Sequence, residues 1–436
     1  MKVNKLIHRQ LGYMEARMHL MQSMFHGSTQ GALAVRLEGE LNIQHLHQAL
    51  QRAVYDFPIM RTVIAECDGQ PCFVDGASGA LPVTVVAREQ DDDWRKVLAR
   101  LNDQPLDAAR QLWRLVVLTP TQVTPGQPPC HDLLLCLHHA LMDGTAADTF
   151  LHRVLTYCTH PACPPQDARP RSVPPAAETV LPTKMQMTWS EFVGWQREQQ
   201  AQLPVLPPLP HLATMPLQAR RTALATMHVD AGQLARLMDW AARQDVTLNS
   251  VLSAALLLAV DAHTPGREQW ALYTTFSLRR LCAAQIDEHD VGCCMTVLPT
   301  VHRVSGQEVG SLAREHQHAL ARAVMRQTRV PVSVDVAQLR EALMPLRHLT
   351  HFVSDLGLTF GESRLQSAYG DLRIRHFYPS VNRSLGNLAL AVHGVRLNES
   401  LFLTFNHTVP LQSADWVDRV MSRFMDIVSS CPATGG

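Results

Sequence analysis

The sequence has no excess of charge of either sign. Lys+Arg and Asp+Glu are 39 each in 436 residues, and charged residues make up 18%, below the usual quarter. A neutral chain has no field with which to steer nucleic acid or an acidic membrane surface, and no basic run with interleaved aromatics occurs. Nucleic acid is therefore set aside as a partner, although a local basic patch could still dock an acidic carrier protein. Long apolar runs are also missing. The longest, residues 254–260, is far too short to span a bilayer. Residues 1–22 mix charge, histidine and apolar side chains without the continuous apolar stretch of a secretion signal. These absences predict no transmembrane segment and a cytoplasmic location. The ten cysteines are scattered, with no CxxC pair and no zinc-like array. They read as reduced thiols.

What is present is apolar material in quantity, 46% of the residues. A chain of this length can bury a large core and suggests two or three domain-sized units. Helical spacing covers residues 11–24, and residues 43–55 place Ile43, Leu46, Leu50, Ala53 and Val54 on one face. Residues 32–37 read as a strand, and residues 59–66 and 71–75 as a hairpin around Cys67-Asp68-Gly69-Gln70. Residues 94–101 read as a helix, and residues 112–118 and 133–137 as strands. Prolines then cluster from Pro161 to Pro216, around a short amphipathic insert at residues 189–199. This segment divides the chain into an N-terminal unit (1–160), a Pro-rich linker (161–216) and a C-terminal unit (217–436). In the last unit, helices are expected at residues 231–244 and 247–261, with Thr247 as a cap. Strands are expected at 226–229, 271–276, 349–353, 372–377, 388–395 and 401–408, and a final helix at 413–428. Strands and helices mixed in both halves favour α/β layers.

The chemistry is concentrated in Leu133-Leu134-Leu135-Cys136-Leu137-His138-His139-Ala140-Leu141-Met142-Asp143-Gly144. An uninterrupted apolar strand, of the kind buried on both faces, ends in two histidines and turns through Asp143-Gly144. Consecutive strand side chains point to opposite faces, so only one histidine can serve a given cavity. Histidine titrates near neutral pH and suits proton abstraction. Gly144 offers bare backbone to a ligand. Asp143, beside a buried strand end, needs a cationic partner. A lone strand-end histidine is more often a satisfied core residue, but two adjacent ones followed by Asp-Gly are seldom accidental. A metal site from His138, His139 and Asp143 is awkward for the same opposite-face reason, and none is expected.

Residues 138–144 match the pattern HHxxxDG in full. The chain thereby resembles the superfamily of chloramphenicol acetyltransferase, peptide-synthetase condensation domains, and plant-type and polyketide-associated acyltransferases. The resemblance continues along the chain. Leu11-Gly12-Tyr13-Met14-Glu15 is similar to the opening helix of the alcohol acetyltransferase and polyketide-associated branch. Asp56-Phe57-Pro58-Ile59-Met60-Arg61 resembles "hPxLR", and Ser277-Leu278-Arg279-Arg280-Leu281 resembles "vnLRxrL". Val291-Gly292 with Val297-Leu298-Pro299, and Val353-Ser354-Asp355-Leu356-Gly357, resemble two further stretches. There, Cys293 and Asp355 depart from the common residues and put acceptor and donor selectivity in doubt. The plant branch's DFGWG is absent.

The resemblance implies two chloramphenicol-acetyltransferase-like subdomains facing one another, with an active-site tunnel between them. It implies His139 as the general base, His138 as structural and pointing away from the tunnel, and Asp143 paired with Arg279, or failing that Arg280. Ser354 is an oxyanion or tunnel candidate. The expected reaction moves an acyl group from a thioester to a small-molecule alcohol or amine, with ester formation favoured. No tightly bound cofactor is expected. The donor is carried on phosphopantetheine of an acyl or peptidyl carrier protein, or on coenzyme A. No "GGxS" carrier site occurs in the chain, so a carrier would come in trans to a stand-alone monomer. The alternative is a catalytically degenerate condensation-like domain that docks or gates carrier proteins. A hydrolase using Ser354 or a cysteine lacks a GxSxG elbow.

Overall fold

The computed structural model of the protein describes residues 6–76, 79–123, 125–160, 172–282 and 285–431. Along the first half run β1 (Ile7–Gln10), α1 (Tyr13–Met24), β2 (Gly31–Glu38), α2 (Ile43–Asp56), β3 (Thr62–Cys67) and β4 (Gln70–Asp75). Then come β5 (Val83–Arg88), α3 (Asp93–Asp103), β6 (Trp113–Pro120), β7 (Cys130–Leu137) and α4 (Gly144–Thr159). Between the halves lie α5 (Ala177–Val180), β8 (Gln186–Met187) and α6 (Trp189–Gln202). The second half holds β9 (Arg221–Val229), α7 (Ala231–Arg243), α8 (Leu248–Asp261), β10 (Gln269–Ser277), β11 (Met295–Arg303), α9 (Val309–Gln327), β12 (Val330–Pro331) and α10 (Val336–Leu343). It closes with β13 (Ser354–Glu362), β14 (Ala368–Tyr369), β15 (Leu372–Val381), β16 (Leu388–Leu397), β17 (Ser400–Val409) and α11 (Ala414–Ser430).

Local chemistry explains many of these boundaries. Asn42 starts α2 by accepting a hydrogen bond from the His45 N–H, and Thr247 starts α8 by accepting from Ser250. Each side chain satisfies an amide that the first turn leaves open. Leu46, Leu50, Ala53 and Val54 of α2 are buried, as their spacing requires. The hairpin of β3 and β4 closes Cys67 on Gln70, with Asp68 and Gly69 both at positive φ. That backbone matches the twist of paired strands.

Two six-stranded mixed sheets carry the molecule, in the orders β14-β15-β2-β7-β6-β5 and β11-β10-β13-β16-β17-β9. Helices flank each, over two separate apolar cores. The class is α/β. The division at residues 160 and 217 does not separate the sheets cleanly, however. β14 and β15 belong to the second half of the chain but pair into the first sheet, Phe377 opposite Val35 and Ser380 opposite Ala32. From there Tyr378 packs edge-on against Phe402 of β17, with ring centroids 5.3 Å apart. This crossover strand ties the sheets together.

Two further expectations change. Residues 349–353 are not a strand. They hold an isolated bridge from His351 to Pro210, and the Phe352 N–H donates to the Leu209 carbonyl, so β13 begins only at Ser354. Residues 161–171 of the proline-rich segment lie outside the described residues. Parts of the remainder are docked. The Glu178 carboxylate accepts the Met14 N–H at 2.8 Å, and Phe192 of α6 packs on Tyr13 at 4.9 Å.

Candidate active site

β7 is a central strand, paired with β2 on one side and β6 on the other, and its apolar residues 133–137 are all buried. The chain leaves it where the His138 N–H donates to the Leu112 carbonyl. His138 and His139 then part company. His138 is buried, and its Nδ1 accepts the Ala140 N–H at 3.1 Å. That bond puts its proton on Nε2, which faces His19 Nδ1 at 3.5 Å across a stacked pair of rings. Burial pushes His138 well below the usual histidine range and, with Arg340, brings His19 down to about 4. This neutral pair borders an open groove of about 960 Å³ on the α1 and α10 side. His138 borders this groove and not the cavity that His139 lines.

His139 lines a smaller cavity of about 250 Å³. Its walls come from both sheets, with Gly31 and Leu33 of β2 on one side and Thr275, Thr359 and His393 on the other. The His139 Nδ1 is enclosed without a well-aligned partner. Burial lowers its pKa below 6.5, and the Arg383 charge adds to this. The ring's own carbonyl and Asp143 pull the other way. The imidazole is therefore neutral at pH 7 and able to accept a proton.

Asp143 holds the turn. One carboxylate oxygen accepts the Ala146 N–H at 2.9 Å and so caps α4. The other accepts the Cys294 N–H at 2.9 Å and sits 2.5 Å from Arg279 Nη1. Arg279 Nη2 donates to the Gly292 carbonyl at 3.0 Å. Burial alone would raise the Asp143 pKa; the Arg279 charge and these three hydrogen bonds overcome it and hold the carboxyl below its ordinary value. Arg280 is exposed and plays no part. Gly292 and Cys294 supply backbone at this clamp, and the Cys293 and Cys294 side chains are both buried.

Gly144, the first residue of α4, borders the cavity. A Cβ built there would meet nothing within 4 Å, and its φ is not left-handed. Neither packing nor backbone strain calls for glycine, so its effect is to leave room beside His139. The amides of Gly144 and Thr145 lie in the first turn of α4, where no intrahelical acceptor exists.

Ser354 is not brought to this site. The cavity touches β13 only from Thr359 to Glu362, and Thr359 is about 16 Å along the strand from Ser354 at 3.3 Å per residue. Ser354 is buried at the strand's other end, its N–H on the Asn387 carbonyl. Asp355 likewise stands off the cavity, bound to Arg267 at 2.6 Å and to the Ala271 N–H. Its departure from the expected residue concerns a buried ion pair rather than a substrate contact.

Residues that sequence reading missed lie opposite the base. Arg383, in the loop between β15 and β16, and His393 in β16 both line the cavity. His393 interrupts the otherwise apolar run of residues 388–395, and that interruption was the available signal. Among the described residues, no group of three or more His, Cys, Asp or Glu side chains is placed to hold a metal ion, and no helix is long and apolar enough to cross a membrane.

The family model of the condensation domain matches residues 13–433, and the chain belongs to that family. It is 26% identical over 195 residues to the nonribosomal peptide synthetase penN of Penicillium thymicola, covering 44% of this chain but only 6% of that synthetase. Among solved structures it superposes on the trichothecene 15-O-acetyltransferase TRI3 of Fusarium sporotrichioides with a TM-score of 0.72 at 12% identity, covering 97% of this chain and 95% of that one. It superposes on polyketide synthase associated protein 5 of Mycobacterium tuberculosis with a TM-score of 0.67 at 14% identity, covering 98% and 100%. These likenesses establish the fold.

Proposed function

We propose that the protein transfers an acyl group from a thioester to a small-molecule alcohol or amine, with His139 as general base. The observation that carries this reading is a neutral histidine facing a cavity walled by both sheets, on a turn clamped by Asp143 and Arg279. With the His139 proton on Nδ1, the Nε2 lone pair receives the proton of the attacking hydroxyl or amine. The nucleophile adds to the thioester carbonyl, and the tetrahedral intermediate expels the thiolate. His139 then returns the proton to the leaving sulfur. No covalent enzyme intermediate is required. The barrier falls through positioning and one base, and the free amides at the N-terminus of α4 are placed to favour developing negative charge.

Ester formation is the favoured outcome, and the donor is held on a carrier protein in trans or on coenzyme A. The TRI3 neighbour is named an O-acetyltransferase, which supports the ester, and the synthetase relative supports a carrier-borne donor. The test is direct. The purified chain is incubated with acyl-CoA and acyl-carrier donors and a panel of alcohols and amines, and products are followed by mass spectrometry. A His139-dependent ester or amide supports the reading. Donors bound but never discharged, with wild type and His139→Ala alike, would overturn it in favour of a non-catalytic domain that docks carriers.

A further inference from the structure

The cavity contains a cation that the proposed transfer does not use. The Arg383 side chain is half-buried, with its Nε enclosed, and lines the same space as His139. Among the described residues it has no carboxylate partner. Its Nε is enclosed without any hydrogen-bond acceptor, and its Nη2 meets only His393 Nε2, at 3.3 Å. Burial, with nothing opposing it, lowers its pKa to about 10, so it is charged at neutral pH.

His393 does not satisfy it. The Asn406 side-chain nitrogen lies 2.9 Å from His393 Nδ1 and also donates to the Thr404 carbonyl at 3.3 Å. The Asn406 oxygen accepts the Ser380 hydroxyl at 2.5 Å. These contacts fix the amide so that its nitrogen donates to Nδ1. The imidazole proton is then on Nε2. Nε2–H and the guanidinium are both donors, facing one another with no acceptor between them.

The acids that border the cavity are committed elsewhere. Asp143 is held by Arg279. Asp148 accepts from the Ser363 hydroxyl and the Arg364 N–H, both at 2.5 Å. Glu362 lies 3.3 Å from Arg396. A half-buried guanidinium without an anionic partner is costly, and the group able to relieve it enters through the cavity that Arg383 lines.

We propose that Arg383, with His393 Nε2–H, binds a carboxylate carried by one of the two reactants close to its reacting end. A guanidinium and a second N–H form a fork suited to two carboxylate oxygens. His139, Arg383 and His393 line one cavity of about 250 Å³, which leaves only a short spacer between the carboxylate and the reacting atom. That excludes the phosphate of phosphopantetheine, which the whole pantetheine arm separates from the sulfur. The carboxylate belongs either to the acceptor, as in a hydroxy acid, or to the acyl group, as in a dicarboxylic half-thioester. The assignment of these roles rests on the acyl-transfer reading; binding does not.

The test reads binding by titration calorimetry, so it does not depend on turnover. Two probe pairs are compared on the full chain. These are 4-hydroxybutyrate against 4-hydroxybutyramide, and succinyl-pantetheine against butyryl-pantetheine. We expect the charged member of one pair to bind roughly tenfold or more tightly than its neutral partner. A preference in the first pair assigns the carboxylate to the acceptor, and in the second to the acyl group. Arg383→Gln abolishes the preference and Arg383→Lys retains part of it. Melting keeps the result interpretable, because removing an unpaired half-buried charge should leave Arg383→Gln at least as stable as wild type, whereas a merely structural arginine would destabilise when lost. His139→Ala keeps the preference, so a failure of the catalytic reading leaves this inference standing. No preference in either pair, or one that survives Arg383→Gln, overturns it.

Discussion

Arg279 reaches across 136 residues of sequence to place a guanidinium nitrogen 2.5 Å from the Asp143 carboxylate. The same carboxylate group caps α4 and accepts the Cys294 N–H, so one side chain joins the β7–α4 turn to the segment between β10 and β11. Removing either partner leaves a buried charge alone and should cost about 3–5 kcal/mol. Asp143→Ala also removes the helix cap, for about 1 kcal/mol more. Both single variants should melt well below wild type, and the double variant should lose less than the sum of the two. Strict additivity in denaturant titrations would remove the coupling.

His139→Ala should behave differently. The ring lies against a cavity, and its enclosed Nδ1 has no well-aligned partner to lose. Stability should change little, while transfer falls by roughly 10²–10⁴-fold. His138→Ala should show the reverse balance, because it removes the acceptor for the Ala140 N–H and the partner of His19. Thermal melts and steady-state rates on the two variants decide it. A folded His139→Ala protein within a few-fold of wild-type rate would take His139 out of the mechanism.

In residues 138–144 local chemistry called for the separation of the two histidines and for a cation beside Asp143, whereas the choice of Arg279 as that cation came from the resemblance of residues 277–281 to a family stretch. A buried strand separates adjacent side chains onto two faces, and a carboxylate at its end needs a cation. Ser354 misled because sequence places it at a strand end without saying which end meets the cavity. Arg383 was illegible for a related reason, whereas His393 left one signal, the polar interruption of residues 388–395. Asn382-Arg383-Ser384 lies outside any apolar run, and Asn382 is buried by contacts distant in sequence, its side chain donating to the Asn102 carbonyl and its N–H to the Gln30 carbonyl. Among the elements, β11 escaped notice because Pro299 argues against a strand. The structure accommodates it on the sheet's edge, opposite Tyr273, where proline is tolerated. β5 was passed over although Val83-Thr84-Val85-Val86 is a β-branched run; it is mostly exposed and pairs with β6 at the sheet's edge.

The pH dependence of transfer follows from the direction of the His139 shift. A general base works only when neutral, and burial sets its pKa below 6.5. The logarithm of kcat/KM should therefore be flat at pH 7 and fall on the acid side, through a value lower than that of free histidine. Arg383 contributes to the lowering, so Arg383→Gln should move the acid limb upward in pH. An unchanged limb, or one moving downward, would show that the titrating group is not a histidine facing Arg383.

Gly144 gives the last prediction, because there space and stability can be separated. A glycine is usually kept for a left-handed backbone or for a close neighbour. This one has neither, since its φ is not positive and a Cβ would meet nothing within 4 Å. Alanine at this first helical position should not destabilise the fold. Restricting the unfolded chain could raise stability by about 0.4–1 kcal/mol. The cost should appear only in the cavity, which is about 250 Å³ and runs past both Gly144 and His139. Gly144→Ala should slow transfer modestly. Gly144→Leu should slow it far more, with its melting temperature still close to wild type, because the added side chain occupies the volume that a reactant needs beside the base. Short acyl donors should suffer less than long ones if the acyl group is what passes this point. If Gly144→Leu turned over every donor at the wild-type rate, the cavity beside His139 would not be where the reactants meet.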